Sequence, residues 1–239
     1  MLPIAILAGG RATRLGRLTQ TVPKSLLELN GEPFVMHQLR LIHSKGIRRV
    51  VICVGHLGAA IQRTVGDGSN LDIQVDYSFD GPHLLGTGGA IKNALRKLGG
   101  SFFVMYGDSY LPCDYQAIAR NFESLGALGM MTVFRNRGRW DTSNVEYDSG
   151  KILAYSKTQR TARMHHIDYG LGVFRAEAFA NVPAGKPCDL TDVYTDLLQR
   201  KQLAAFEVRE RFYEIGSPSG LRETTEFLAS RAANEILKK

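Results

Sequence analysis

Hydrophobic and polar positions alternate in two regimes along the chain. In the first half, short apolar runs of strand length are separated by amphipathic stretches. Pro3-Ile4-Ala5-Ile6-Leu7-Ala8 is continuously apolar, as expected of a strand buried on both faces, and stops at Gly9-Gly10. A polar, glycine-containing segment runs on to Pro23. Phe34, Val35, Met36, Leu39, Leu41 and Ile42 recur at helical spacing over 34–45, and Gly46 supplies the stop. Residues 50–54 read as a second buried strand, 57–65 as a short helix and 71–77 as an alternating strand. Gly86-Thr87-Gly88-Gly89 then opens a helix with Ile91, Ala94, Leu95 and Leu98 on one face, and 102–106 is another apolar strand ending in Gly107-Asp108.

Strand and helix in strict alternation predict a parallel sheet covered on both faces. The second half reads differently. Segments 127–134, 144–147, 152–156, 167–174 and 203–209 look extended, and helices are expected only over 190–200 and 218–236. The expectation is an α/β fold with a mixed, mainly parallel central sheet. It would form a single domain over 1–239, with one lobe over 1–125 and a second over 126–239. No Pro/Ser-rich linker separates them.

Composition removes several classes. Apolar residues make up 44% and charged residues 22%, ordinary for a globular chain. No apolar run approaches the roughly 18 residues of a membrane helix, so no membrane association is expected. Three cysteines, Cys53, Cys113 and Cys188, are odd in number and lack metal spacing, which suits a reducing cytoplasm. The formal net charge of +7 asks for an anionic partner. It is spread along the chain, densest at 135–139 and 160–163, without an aromatic-basic signature. Phosphate-bearing small molecules therefore rank above nucleic acid.

The loop after the first strand reads Leu7-Ala8-Gly9-Gly10-Arg11-Ala12-Thr13-Arg14-Leu15. Ligands of open α/β sheets bind beyond the C-terminal ends of strands. Gly9 and Gly10 let backbone N–H groups approach a phosphate, and Arg14 can offer a fork of donors. The pattern is neither a P-loop nor a dinucleotide fingerprint, and in the Gly86 loop Ile91 stands where a third glycine would be. Adjacent His165 and His166 on a strand would point to opposite faces, which argues against a metal site.

With Pro23-Lys24-Ser25-Leu26 following, the chain resembles the sugar-1-phosphate nucleotidyltransferases, whose opening signature is L-A-G-G-x-G-T-R-L and then P-K-x-L. Ala12 replaces the usual third glycine. Later elements match in order: Leu85-Gly86-Thr87-Gly88-Gly89-Ala90, Gly107-Asp108, Lys157, Asp168-Tyr169-Gly170 and Tyr213-Glu214-Ile215-Gly216-Ser217-Pro218. The segments on the sugar side most resemble bacterial members acting on mannose- or heptose-type phosphates.

The resemblance implies a Rossmann-like three-layer sandwich and a set of roles. Leu7, Ala8, Gly9, Gly10, Arg11, Thr13 and Arg14 would bind the nucleotide, the last five holding the triphosphate. Gly55, Leu85, Gly86, Thr87 and Gly88 would face the base through backbone groups. Arg14, Lys24 and Asp108 would be catalytic, with Lys24 bridging the phosphates. Lys157 would grip the sugar phosphate beside Asn144, Asp168, Tyr169 and Gly170. Asp108 would hold Mg²⁺, a cation that favours carboxylates plus substrate phosphates. Glu214 stands where the family's second metal ligand is usually an aspartate.

The implied reaction joins a nucleoside triphosphate to a sugar 1-phosphate, with GTP and a manno-configured hexose or heptose 1-phosphate favoured. A monomer or small homo-oligomer is expected. No hexapeptide repeat follows the last helix, so no β-helix with acetyltransferase activity is expected. Two alternatives stand beside this reading. One is a cytidylyltransferase of the same fold that cages phosphocholine or a phosphonate with Trp140, Tyr155 and Tyr169. The other is a non-catalytic subunit that binds sugar nucleotides, against which the presence of Arg14, Lys24 and Asp108 weighs.

Overall fold

The computed structural model describes residues 1–10 and 22–236. The first half contains β1 (Ile4–Leu7), the short pair β2 (Glu28–Leu29) and β3 (Glu32–Pro33), α1 (Phe34–Ser44), β4 (Arg49–Val54), α2 (Gly58–Val65), β5 (Gln74–Phe79), α3 (Gly86–Leu98), β6 (Ser101–Tyr106), β7 (Ser109–Tyr110) and α4 (Tyr115–Leu125). The second half contains β8 (Gly129–Phe134), β9 (Val145–Asp148), β10 (Lys151–Tyr155), β11 (Ile167–Arg175), α5 (Leu190–Gln199), β12 (Leu203–Val208), β13 (Tyr213–Glu214) and α6 (Pro218–Ile236).

Seven strands form one sheet in the order β12-β8-β11-β6-β1-β4-β5. Strand β1 lies in the interior of the sheet, next to the central β6, and pairs in parallel with β4 and β6, Ile4 facing both Val50 and Phe103. Only β11 is reversed, antiparallel to β6 on one side and β8 on the other. Strands from both halves of the chain thus enter the same sheet, which is mixed and mainly parallel.

Alternation along the strands divides the core between the two faces of this sheet. Ile4, Ile6, Val50, Ile52, Phe103 and Met105 pack with residues of α1, α2 and α4. Their sequence neighbours Ala5, Val51, Phe102 and Val104 pack with α3 and α5. The result is a three-layer sandwich, and it explains why the strands read as continuous apolar runs.

Two differences from the hydrophobic pattern have local causes. Strand β5 begins at Gln74 rather than 71, because Gly68 and Asp72 adopt left-handed conformations and form a turn there. Helix α4 is absent from the elements read above, although its buried Tyr115, Ile118, Ala119 and Phe122 have helical spacing. The Asp114 side chain caps it by accepting from the Ala117 amide at 3.0 Å, and Gly126 ends it.

Candidate active site

The chain runs outward from β1 to β4 and β5, then returns to place β6 on the other side of β1. That reversal is a topological switch point, where the loops at the C-terminal strand ends diverge and leave a crevice. A cleft of about 240 Å³ lies there. Its walls come from Leu7, Ala8, Gly9 and Gly10 after β1, Cys53 of β4, Asp80 after β5, and Tyr106, Gly107 and Asp108 at the end of β6. Lys24 and Ser25 close one side, and Leu84, Gly86, Thr87 and Ala90 close another.

Lys24 and Asp108, 84 residues apart, meet at this mouth. Lys24 Nζ donates to Asp108 Oδ2 at 2.9 Å, both side chains largely withdrawn from solvent. Lys24 opens a single 3-10 turn over Lys24–Leu26. The Asp108 backbone is held by Ile215, whose amide donates to the Asp108 carbonyl at 2.9 Å. Arg11, Thr13 and Arg14 lie outside the described residues.

The walls on the α3 side are tightly determined. A side chain on Gly55 would lie 2.6 Å from Leu84 Cδ2 and 3.0 Å from both Asp80 Oδ2 and the Gly9 carbonyl, so only glycine fits where the loops after β1, β4 and β5 converge. In the Gly86 loop, the Leu85 amide donates to Asp80 Oδ2 at 3.2 Å, and the Gly88 and Gly89 amides donate to the Cys188 carbonyl at 2.8 and 3.2 Å. Thr87 Oγ1 accepts from the Leu190 amide. The Leu85 and Gly88 amides, two of the backbone groups expected to face a base, are therefore already engaged within the protein. Burial, reinforced by nearby Asp80, pushes the Cys53 thiol up to about 12, so it lines the cleft as a neutral group.

The residues expected around a sugar phosphate gather beside Tyr106, with one exception. Lys157 Nζ sits 5.5 Å above the Tyr106 ring and 3.8 Å from Asp189 Oδ1. Asp168 Oδ1 accepts from the Gly170 amide at 3.0 Å, and Oδ2 accepts from the Tyr155 hydroxyl at 3.4 Å. Asn144 Oδ1 accepts from the Asp168 amide at 2.9 Å. Burial raises the Asp168 carboxyl above the usual range, opposed by the Gly170 bond and by Lys157. Strand β11 carries a register shift against β8 between Asp168 and Gly172, and Gly170 sits at φ +94°, a conformation glycine adopts without strain. Alternation then sends Tyr169 to the opposite face, where its ring packs on Phe134 and Phe212. The Tyr169 side chain is a core group, 2% exposed, and does not join the cluster.

Glu214 departs from its expected place in a similar way. Strand β13 pairs with β7, so the Glu214 backbone lies next to Ser109, one residue from Asp108. The carboxylate nevertheless turns to its own loop, accepting from the Gly216 amide and from Ser217 Oγ at the start of α6. In the ligand-free protein both Glu214 oxygens are thus engaged within its own loop. Among the described residues, no group of three or more His, Cys, Asp or Glu side chains is placed to hold a metal. A magnesium ion needs fewer, since substrate phosphates complete its shell, and the Asp108 carboxylate at the cleft mouth is a hard oxygen donor of the fitting kind.

Trp140, Tyr155 and Tyr169 are not assembled into an aromatic cage either. Trp140 carries the Arg211 guanidinium 4.4 Å from its ring centre, Tyr155 packs edge-on against Tyr194, and Tyr169 is on the far side of the sheet.

Sequence reasoning missed Ser25, Asp80 and Tyr106 as lining groups. Each carries a buried polar atom, Ser25 Oγ, Asp80 Oδ1 and the Tyr106 hydroxyl, with no hydrogen-bond partner among the described residues. The signal for Asp80 was present: an acidic residue directly after a strand and before a glycine, the pattern that singles out Asp108 in mirror order.

Comparisons with known proteins give the family. The family model described as nucleotidyl transferase matches residues 4–231. The chain is 28% identical over 231 residues to an N-acetylmuramate alpha-1-phosphate uridylyltransferase of Neisseria meningitidis serogroup B, covering 91% of this chain and 94% of that protein. It is 30% identical over 185 residues to a mannose-1-phosphate guanylyltransferase of Mycobacterium tuberculosis, covering 76% of this chain and 51% of that protein. It thus spans nearly all of the first relative and about half of the second. The crystal structure of HddC from Yersinia pseudotuberculosis complexed with GMP-PN has the same fold, with a TM-score of 0.80, 24% identity and coverage of 95% of this chain and 100% of that one. With a cleft at the switch point, a lysine–aspartate pair at its mouth and a family match over nearly the whole chain, this protein is an enzyme that belongs to the nucleotidyl transferase family.

Proposed function

We propose that this enzyme transfers a nucleotidyl group from a nucleoside triphosphate to a sugar 1-phosphate and releases pyrophosphate. The observation that carries the reading is the Lys24–Asp108 pair, a cation and a carboxylate 2.9 Å apart at the mouth of a strand-end cleft. In the free protein the two neutralise each other. With a triphosphate bound, Lys24 would turn to the phosphate oxygens and Asp108 would be free to hold a divalent cation.

The chemistry then follows from charge. The nucleophile is a phosphate oxygen of the sugar 1-phosphate, anionic at neutral pH, so no general base is needed. It attacks the α-phosphorus in line; the P–O bond to the bridging oxygen breaks, and that oxygen keeps the electron pair as pyrophosphate leaves. Lys24 stabilises the charge that shifts onto the leaving group. Asp108 would hold Mg²⁺, which supplies further charge neutralisation when bound. Lys157, beside Tyr106, would hold the incoming sugar phosphate, and Asn144 and Asp168, bonded to each other and to Gly170 and Tyr155, would shape the pocket around it. Positioning the two phosphates in line supplies the rest of the rate enhancement.

The finer reading is GTP with a manno-configured hexose or heptose 1-phosphate. The guanylyltransferase relative supports it, while the uridylyltransferase relative favours UTP instead. The test is a matrix of GTP, ATP, CTP, UTP and dTTP against a panel of sugar 1-phosphates with Mg²⁺, read as pyrophosphate release. Release with at least one pair is expected. Silence across the whole matrix would overturn the reaction class, whereas a dominant UDP or CDP product would overturn only the choice of base.

A further inference from the structure

Helix α1 buries an otherwise apolar face, Phe34, Val35, Met36, Leu39, Leu41 and Ile42, and one polar side chain stands among them. That side chain is Gln38, 0% exposed. Its Nε2 donates to the Ser109 carbonyl at 2.8 Å and to the Tyr106 carbonyl at 3.2 Å. Both neighbours are carbonyl oxygens, so the nitrogen of the carboxamide is the atom that must face them. Its Oε1 is buried with no partner among the described residues. A buried acceptor without a donor is unfavourable, and an unbranched apolar side chain would fill the same volume without that cost. Packing alone does not account for an amide here. What its two N–H groups hold does.

They hold the turn that carries Asp108. Strand β6 ends at Tyr106, and the chain then leaves the seven-stranded sheet for β7, which pairs with β13 over two residues. Gly107 and Asp108 are the link between them. Gln38 bonds the carbonyl on either side of that link and so ties both ends of the turn to α1. Two backbone bonds complete the attachment: the Gly107 amide donates to the Leu7 carbonyl and the Ile215 amide to the Asp108 carbonyl, each at 2.9 Å. The Asp108 carboxylate accepts from Lys24 at Oδ2 and, at 3.4 Å, from the Ser109 hydroxyl at Oδ1. Once Lys24 turns to phosphate, the first of these is lost. The direction of the carboxylate then rests on the backbone of the turn and on Ser109, whose carbonyl Gln38 grips.

We propose that Gln38 is a positioning residue for Asp108: from inside helix α1 its carboxamide fixes the turn over 106–109, so that the carboxylate keeps its place at the cleft mouth after Lys24 has left it. The inference rests on the nucleotidyl-transfer reading above. Gln38 is fully buried, so it touches neither nucleotide nor sugar. Its effect reaches the reaction only through the place of Asp108, and hence through the cation that Asp108 would hold. Removing a partner that orients a ligating group typically changes metal affinity or activity by about 10- to 100-fold. A misplacement of about 1 Å at a reacting centre costs a factor of about the same size. A role in binding the sugar would instead appear in the KM for the sugar phosphate.

The test is Gln38→Met, which keeps the length of the side chain and removes both donors. Mn²⁺ serves as the probe in place of Mg²⁺. Its binding is read by electron paramagnetic resonance, with the metal alone and with GTP or UTP present, and without sugar phosphate, so that no turnover is involved. The dissociation constant for Mn²⁺ is expected to rise about 10- to 100-fold. In steady-state assays kcat should fall by a similar factor and the Mg²⁺ concentration for half-maximal rate should rise, while the KM for the sugar phosphate stays near the wild-type value. Gln38→Leu serves as a second variant, with thermal melts confirming that each is folded. Wild-type Mn²⁺ affinity and kcat in a folded variant would overturn the proposal, as would a loss confined to the KM for the sugar phosphate. Failure of both variants to fold would make the amide a requirement of the fold and overturn a role directed at Asp108. Wild-type protein that neither binds Mn²⁺ nor releases pyrophosphate would overturn the nucleotidyl-transfer reading itself, and the proposal with it.

Discussion

Asp80 and Asp168 stand at opposite ends of the site, and the same chemical group is treated differently at each. Burial raises both carboxyls above their ordinary range. At Asp168 both oxygens have donors, from Gly170 and Tyr155, and Lys157 adds a favourable charge. At Asp80 one oxygen has a donor and the other has none among the described residues. The first arrangement is closed: removing the carboxylate strands its partners. The second is half open: removing the carboxylate takes an acceptor from the Leu85 amide but also removes a buried oxygen that has no donor among the described residues. A buried polar group whose bonds are complete holds the fold in place, and one whose bonds are incomplete marks where the fold expects something else.

The strongest test of this comparison lies between the two ends, where the chemistry is expected. Asp108→Asn should lower kcat by about 10³-fold or more, because a neutral amide cannot replace a carboxylate that holds a divalent cation. Near-normal Mg²⁺-dependent turnover in that variant would remove Asp108 from the site. Lys24→Ala should reduce kcat by about 10²–10³-fold, the range for one preorganised charge stabiliser. If only the KM for nucleotide rose, Lys24 would act in ground-state binding and not in the transition state.

Next in size is the closed end. Asp168→Ala strips the Gly170 amide and Tyr155 hydroxyl of an acceptor, at a cost of about 1–3 kcal/mol. For a chain of this length that is a fall in Tm of about 2–12 °C by calorimetry. An unchanged Tm would show that the Asp168 network is not a structural element, and the contrast with Asp80 would fail.

The smallest effect has the opposite sign. A carboxyl whose folded pKa is raised resists ionisation in the fold. Below about pH 4 it is protonated in both states and contributes nothing. As pH rises through the unfolded value, the unfolded chain ionises first and gains, so native stability declines until the folded value is passed. Asp80→Asn removes that penalty. Its ligand-free Tm should be slightly above wild type at pH 7, with the difference shrinking toward pH 4. A Tm below wild type at pH 7 would mean that the ionised carboxylate is already satisfied in the free protein.

Much of the fold was legible because strands buried on both faces must be continuously apolar. The runs at 3–8, 50–54 and 102–106 could take few other places. Helix α4 was equally legible in its spacing, yet its polar positions and the neighbouring Pro112 and Cys113 made the segment easy to pass over. At the site, Lys24 and Asp108 could be singled out because each sits in a motif, the lysine after a proline and the aspartate after a strand and a glycine. Tyr169 and Glu214 could be named from their neighbours in sequence but not oriented. The face a strand residue shows depends on register, and the register of β11 turns on the shift near Gly170.

The sequence by itself determined the layered α/β architecture, the strand-end loops and the residue types able to meet phosphate, because each follows from local periodicity and local charge. Only the tertiary structure decided that Lys24 meets Asp108 across 84 residues, that Tyr169 packs into the core, that the Glu214 carboxylate bonds to its own loop, and that Asp80 lines the cleft with Oδ1 buried and without a partner among the described residues. Those outcomes depend on which loops the strand order brings side by side and on which donors their neighbours have already taken, and neither quantity is a property of any single stretch of chain.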